Sequence, residues 1–251
     1  MRTLIIATDS LGDAVMTQPL VALLTRFDPV GTVDVLAGPA VAPVFEAMTE
    51  VARVFTSPHA FGPLQPWGTF ALARRLGALR HDRVFVLPSA KRAALAPWMA
   101  RIPLRIGLRP DTRWGLINHP HDSGGAGAPA PARPAVERFA HLAFDPSQPL
   151  PGSIPNPVLN RDPSREEAAR IHAGFMPSTR LLVLCVACDS APSRRWPARH
   201  WAALLAGAAD EWPELTPVLV GDATDRAFAT EVAALSGRRP RNLCGEQSLV
   251  D

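Results

Sequence analysis

The chain reads as an α/β protein built from two parallel-sheet units in tandem. Three observations predict this. Short runs rich in Val, Ile and Leu alternate with stretches of helical spacing, which is the pattern of βαβ units. The alternation halts at a proline-rich segment, residues 146–160, and then restarts. The length, 251 residues with 47% apolar side chains, is enough for two such cores.

The elements follow in order. Residues 3–7 read as a strand, followed by a loop and a helix to about residue 27. A second strand spans 32–37, a helix 41–48, and a short strand 54–56. Residues 69–79 are helical, 83–87 (RVFVL) a strand, 91–99 a helix and 104–107 a fifth strand. Gly and Pro make 122–134 a loop, and 135–144 is helical. The five prolines of 146–160 suggest an interdomain linker. Beyond it come a helix at 165–174 and a strongly buried strand at 181–187. Pro197 opens a helix to Trp212, since proline is tolerated at a first helical position. A strand at 217–220, a helix at 224–235 and a strand from 241 complete the pattern. The expected domains are 1–155 and 156–251, the second a thin, incomplete sheet.

Composition excludes several classes. Mean hydropathy is +0.05, so the chain has the core-formers that disordered chains lack. Its longest apolar run, 181–187, is far too short to cross a bilayer. The first seven residues lack the apolar region and cleavage site of a secretory leader. Cys185, Cys188 and Cys244 cannot make a disulfide framework, so a reducing cytoplasm is the expected setting. Lys91 is the only lysine, 27 residues are proline and tyrosine is absent. G+C-rich coding produces that bias unaided, so an arginine's position carries more meaning than the arginine count. Position is uneven. Between Arg74 and Arg113, ten basic side chains face only Asp82 and Asp111. Such a surface attracts anionic partners, although any one of these arginines could simply be solvated. No aromatic ladder or helix-turn-helix cue accompanies the window, which disfavours nucleic acid.

Candidate chemistry clusters after the strands, where α/β sheets gather ligands. The first strand runs into Asp9-Ser10-Leu11-Gly12-Asp13. Asp13 is a candidate general base, or equally a helix cap, and Gly12 permits a tight turn or close approach. No G-x-G-x-x-G follows, so a dinucleotide fingerprint is absent. The stretch from Asp189 through Ser193, Arg194 and Arg195 to Pro197 lies between a strand and a helix start. Two guanidiniums beside helical N–H groups suit a diphosphate; a solvated loop is the alternative. Asp222 and Asp225 end another strand, where a carboxylate could hold a ribose hydroxyl or cap a helix. Cys185 and Cys188 have C-x-x-C spacing but no second pair, and read as small core residues. His119 and His121 could ligate a metal, yet sit in a loop and read as solvated. No Asp-x-Asp pair, P-loop or Gly-x-Ser-x-Gly is present.

A set of collinear motifs spans the whole chain. It comprises Ser10-Leu11-Gly12-Asp13 with Met16-Thr17-Gln18-Pro19-Leu20, Asp34-Val35-Leu36-Ala37, and 83–89 followed by Lys91. It continues with Ile102-Pro103, Arg105-Ile106-Gly107, 113–118, Val136-Glu137-Arg138-Phe139, Arg194-Arg195-Trp196-Pro197 and 241–246. In these the chain resembles the ADP-heptose:lipopolysaccharide heptosyltransferases of the heptosyltransferase II type.

The resemblance implies a GT-B glycosyltransferase with two Rossmann-like domains facing a cleft. It implies inverting, metal-independent transfer of heptose from ADP-heptose to the lipopolysaccharide inner core, with no cofactor. Asp13 matches the catalytic base, and Arg194 stands where the family usually has a diphosphate-neutralising lysine. Ser193, Arg195, Asp189 and Asp225 are then expected on the donor side. Ser10, Gly12, Lys91, Arg109, Arg113 and Arg138 are expected on the acceptor side, against phosphates and Kdo carboxylates. The expected setting is cytoplasmic, peripheral on the inner face of the inner membrane. The resemblance also implies about a hundred further residues carrying an Asp-Ser/Thr-Gly…His stretch, so the chain is expected to be a fragment. Two other classes stay open: a non-catalytic module that binds anionic lipid or glycan, and a transferase for another nucleotide-sugar.

Overall fold

The computed structural model describes residues 1–56, 66–108, 115–122, 133–186 and 195–246. They fall into two compact units, Met1–Asn160 and Arg161–Asp251, and each is taken by itself.

In the first unit, β1 (Arg2–Ile6) is followed by α1 (Leu11–Met16), α2 (Gln18–Phe27), β2 (Thr32–Ala37) and α3 (Ala42–Glu46). Then come β3 (Val51–Thr56), α4 (Pro66–Leu79), β4 (Arg83–Val86), α5 (Lys91–Met99) and β5 (Leu104–Leu108). The unit's last elements are β6 (His119–His121) and α6 (Ala135–His141). The strands form one parallel sheet in the order β3-β2-β1-β4-β5-β6. Both faces are covered, which is why the central strands are apolar almost without interruption. Alternate residues part to the two sides. Leu4, Ile6, Val84 and Val86 pack with Leu72 and Leu76 of α4 and Ala93 and Ala94 of α5. Ile5, Val33, Val35 and Phe85 pack with Leu20 and Leu24 of α2, Phe45 of α3 and Phe139 of α6.

The first helix is divided. Thr17 separates α1 from α2, and Pro19 stands in the first turn of α2. A proline there lacks the N–H that would continue a helix from α1 but is at home at a helix start. The sheet also has a sixth strand, where only a loop was expected. His-Pro-His has little strand propensity, but Pro120 sits on an edge strand, where a missing N–H costs little. Nor is that segment solvated. His121 is fully buried, and its ring lies edge-on to His119 and His141, each at 5.3 Å. The proline-rich stretch is not a free linker either. Val158 N–H donates to Gln18 Oε1 (3.1 Å) and Asn160 N–H to the Ala47 carbonyl (2.7 Å). These bonds hold the stretch on the first unit, so the units divide after Asn160.

A charge cluster lies beside β2, with Asp34 and His81 fully buried and the Arg53 side chain about half exposed. Asp34 on β2 accepts two bonds from Arg53 on β3 (3.0 and 2.6 Å) and faces His81 Nε2 at 2.8 Å. Burial alone would raise the Asp34 carboxyl. The hydrogen bonds and charges of Arg53 and His81 outweigh it and hold the group below the usual carboxylate range.

The second unit holds α7 (Pro163–His172), β7 (Leu181–Cys185), α8 (Ala198–Glu211), β8 (Thr216–Val220), α9 (Arg226–Ser236) and β9 (Arg241–Asn242). Its strands are parallel in the order β7-β8-β9. Leu184, Leu205, Leu219 and Val232 form the core under α8 and α9. Asp162 caps α7 through Ser164 N–H and Arg165 N–H. The first strand is not strongly buried: Leu184 is, but Val183 and Cys185, on the opposite face, are exposed. Cys185 is therefore no core residue, and Cys188 lies outside the described residues.

Two outcomes are expected. Asp34→Ala, which leaves the buried His81 Nε2 without its partner while Arg53 turns to water, should cost about 2 kcal/mol of first-unit stability in urea unfolding. Acid should also weaken this unit. Burial, then the neighbouring His141 and His119, push His121 down to about 4; Asp145 and Asp122 act the other way. Between that value and the unfolded pKa of about 6.5 the unfolded chain binds the extra proton, so stability falls as pH drops through the window. The fall should approach about 3 kcal/mol and be absent in His121→Phe, as denaturation midpoints across the range would show.

Candidate active site

The strand order reverses at β1: β2 lies on one side of it and β4 on the other. The connections leaving β1 and β4 diverge there, to helices on opposite faces of the sheet. At this point lies a cavity of about 370 Å³. Its walls are Thr8, Asp9, Ser10 and Asp13 after β1, and Leu87, Pro88, Ser89, Ala90, Arg92 and Ala93 after β4. Leu108 closes one side, and Arg138 and Phe139 of α6 complete it.

Local chemistry explains the placement of Asp13. Ser10 is the N-cap of α1, its hydroxyl accepting from Asp13 N–H at 3.4 Å. The cap reading of Asp13 therefore passes to Ser10. Asp13 is the third helical residue, where the helix dipole favours its negative charge. Asp13 lines the cavity, and the cap is made by Ser10. Gly12 is not demanded by crowding: an added Cβ would meet only Ser10 Oγ, at 3.9 Å.

The cavity carries both signs of charge. Partial burial raises the Asp9 carboxyl above its ordinary value, with Arg92 opposing. Arg138 extends from α6, with its guanidinium 5.9 Å from the Phe139 ring and its buried Nε unpartnered among the described residues. Thr8 Oγ1 is likewise buried and unpartnered. The N-terminus of α5 has no side-chain cap, because Ala90 occupies that place.

The expected acceptor-side residues thus divide. Ser10 and Arg138 come together with the candidate base Asp13 at the cavity, and Gly12 and Lys91 do not line it. Arg92, one residue on, takes its place. Arg109 and Arg113 lie outside the described residues. The sequence reading missed Thr8, Asp9, Ser89 and Arg92. The signal was available in their positions immediately after the first and fourth strands, the pair whose order reverses.

In the second unit, Arg195 is committed to a partner. It donates from Nη2 to Asp225 at 2.9 Å, and its guanidinium lies 4.9 Å from the Phe228 ring. Asp225 is buried and also accepts from Asp222 N–H at 3.3 Å, while the Asp222 carboxylate accepts in return from Asp225 N–H at 3.3 Å. This reciprocal pair is a capping box for the turn Ala223–Asp225, so both acidic residues serve the cap. Gly221 and Gly245 make room for it. A Cβ on Gly221 would stand 3.0 Å from Asp225, and one on Gly245, at φ +73°, would strike Ala223 at 2.7 Å. Trp196 stacks on His200 at 5.6 Å and meets Trp201 edge-on. Asp189, Ser193 and Arg194 lie outside the described residues. Among the described residues, no three His, Cys, Asp or Glu side chains are arranged to hold a metal, His119 and His121 included.

Comparison with known proteins adds the family. The family described as "Glycosyltransferase family 9 (heptosyltransferase)" matches residues 69–251. The chain is 31% identical to lipopolysaccharide heptosyltransferase 2 of Salmonella typhimurium and 30% identical to that of Escherichia coli K12. Each match covers 99% of this chain and 72% of the relative. Among solved structures, that of E. coli ADP-heptose lps heptosyltransferase II is similar, with a TM-score of 0.84 and 27% identity. That match covers 100% of this chain and 74% of the other.

Replacing Asp225 with Asn should cost the second unit about 2 kcal/mol, because the buried site would lose its charge and its ion pair with Arg195. A lowered urea midpoint of that unit would report it.

Proposed function

The chain belongs to glycosyltransferase family 9, the heptosyltransferases, and we propose that it moves a heptosyl group from ADP-heptose to a lipopolysaccharide inner-core acceptor. The observation that carries this reading is the continuous similarity to lipopolysaccharide heptosyltransferase 2 across 99% of the chain. The cavity with Asp13 on its wall supports it. In the proposal the first unit receives the acceptor and the second the ADP moiety.

The reaction is taken as a single inverting displacement that needs no metal. Asp13 removes the proton from the acceptor hydroxyl as that oxygen attacks the anomeric carbon. The bond to the diphosphate breaks and ADP leaves with the electron pair. Arg194 steadies the growing negative charge, a guanidinium suiting two phosphate oxygens at once. Arg195 does not share that task in the proposal; its bond to Asp225 anchors the residue that follows Arg194. On the acceptor side, Ser10 positions Asp13 through the cap, and Arg138 offers charge to an acidic group of the acceptor. The setting proposed is cytoplasmic, with contact at the inner-membrane surface where the lipid-anchored acceptor lies.

Asp13→Asn keeps the side chain's shape and removes the base. It should lower turnover by about a thousandfold or more while leaving ADP affinity within about twofold. Mass spectrometry of acceptor incubated with ADP-heptose reads the first quantity and calorimetry the second. Retained turnover in the variant would remove Asp13 from its role. A donor preference for UDP- or GDP-sugars would transfer the chain to another substrate class.

A further inference from the structure

We propose that the outer face of α4 is a docking surface for an anionic phospholipid bilayer. The inner side of this helix is accounted for: Thr69, Leu72, Ala73 and Leu76 are buried against the sheet and α5. The outer side leaves two large aromatics in water. Trp67 is 86% exposed and Phe70, one turn later, is 50% exposed. Arg74 follows at the next turn, also exposed, so the three share one stripe at i, i+3 and i+7. No acidic residue occurs anywhere in α4.

Burial of the other face sets the register of this helix, so neither aromatic is needed by the core. Arg75 is held to the fold, its guanidinium 5.4 Å from the ring of Phe55. The stripe that remains is aromatic at one end and cationic at the other. Exposed tryptophan beside arginine suits the boundary of a bilayer, where the ring enters the headgroup layer and the guanidinium meets lipid phosphate. Charge complementarity selects an anionic surface. α4 opens the window from Arg74 to Arg113, where ten basic residues face two acidic ones.

Topology places the stripe usefully. Strands β3 and β4 belong to one parallel sheet, and α4 connects the end of the first to the start of the second. It must run antiparallel to both. Its N-terminal turns, with Trp67 and Phe70, therefore lie at the edge where the strands end, which is also the edge that bears the cavity. A bilayer held there would deliver a lipid-anchored acceptor on the side of Asp13. This last point rests on the proposed function; the binding of phospholipid does not.

The test is co-sedimentation of the 251-residue chain with vesicles of phosphatidylethanolamine and phosphatidylglycerol that contain no acceptor. The chain should partition onto them, less so as salt is raised, and poorly onto neutral phosphatidylcholine. The double variant Trp67→Ser/Phe70→Ser should partition roughly tenfold more weakly, and Arg74→Gln several-fold more weakly at low salt. Both substitutions are on the exposed face, and circular dichroism should show an unchanged fold. Equal partitioning of the double variant and the parent chain would overturn the proposal, as would equal binding to neutral vesicles. Light scattering that showed a dimer in the parent and a monomer in the double variant would assign the stripe to a second copy of the chain instead, and would also overturn it. Turnover separates this inference from the functional reading. On a deacylated, water-soluble acceptor the double variant should match the parent, and on vesicle-embedded acceptor it should fall about tenfold. If the parent turned over neither acceptor, the functional reading would fail while the vesicle result still decided the docking surface.

Discussion

The first unit depends on β1 being hydrogen-bonded on both sides. Its residues pair with β2 from Arg2 to Ile6 and with β4 from Thr3 to Ile6, and Leu4, Ile5 and Ile6 are buried. Helices cover both faces of the sheet, and its backbone groups are engaged along the strands. The ends of the strands are what is left for chemistry. Because the order reverses at β1, the chain leaving it turns toward one face and the chain leaving β4 toward the other. A gap is the geometric result. The cavity is therefore a consequence of sheet topology, and the residues on its walls are those next in sequence after the two central strands.

The two helices that begin at this gap differ electrostatically. In α1, Ser10 supplies the cap and Asp13 adds a negative charge to the first turn, as a helix N-terminus favours. In α5 there is no side-chain cap, and the first two residues are Lys91 and Arg92. Positive charge at that end opposes the dipole. The cavity lining thus holds two acidic residues, Asp9 and Asp13, and two basic ones, Arg92 and Arg138. Asp9 shows the balance directly: partial burial raises its carboxyl, and Arg92 pulls the other way.

Most of the fold was legible because strong periodicity and proline position are local signals. The central strands and the helices at 91–99 and 135–144 needed nothing else. Three features were hidden for physical reasons. The strand at His119–His121 has no intrinsic β preference and exists because β5 offers it a free edge. The apolar run at Leu181–Cys185 suggested a strongly buried strand, but burial depends on what packs against each face, and among the described residues Val183 and Cys185 are left exposed. The 146–160 stretch looked like a linker by its prolines, yet Gln18 and Ala47, far away in sequence, fasten it. At the site, Asp13 was legible from its place after a strand. Arg92 was not, because the motif that carries the resemblance runs from 83–89 to Lys91 beside it. Which of two adjacent cations enters a cavity depends on helical phase to within a fraction of a turn.

The motifs that carry the family resemblance are mixed in purpose, and the structure sorts them. Asp34 anchors Arg53 and His81 within the sheet, away from the cavity walls. Arg105 donates to the carbonyls of Leu116 and Ile102, while Asn118 accepts from Arg105 N–H and donates to the Pro103 carbonyl. Together they lock β5 to the segment that leads into β6. Gly245 is required by its left-handed φ and by contact with Ala223. None of these acts on a substrate in the proposal. They fix the ends of strands, and the ends of strands carry the reactive groups. The same logic gives Arg195 its meaning. Paired with buried Asp225 and set against Phe228, it serves as an anchor for the chain, a role that burial and hydrogen bonding reveal and sequence spacing does not.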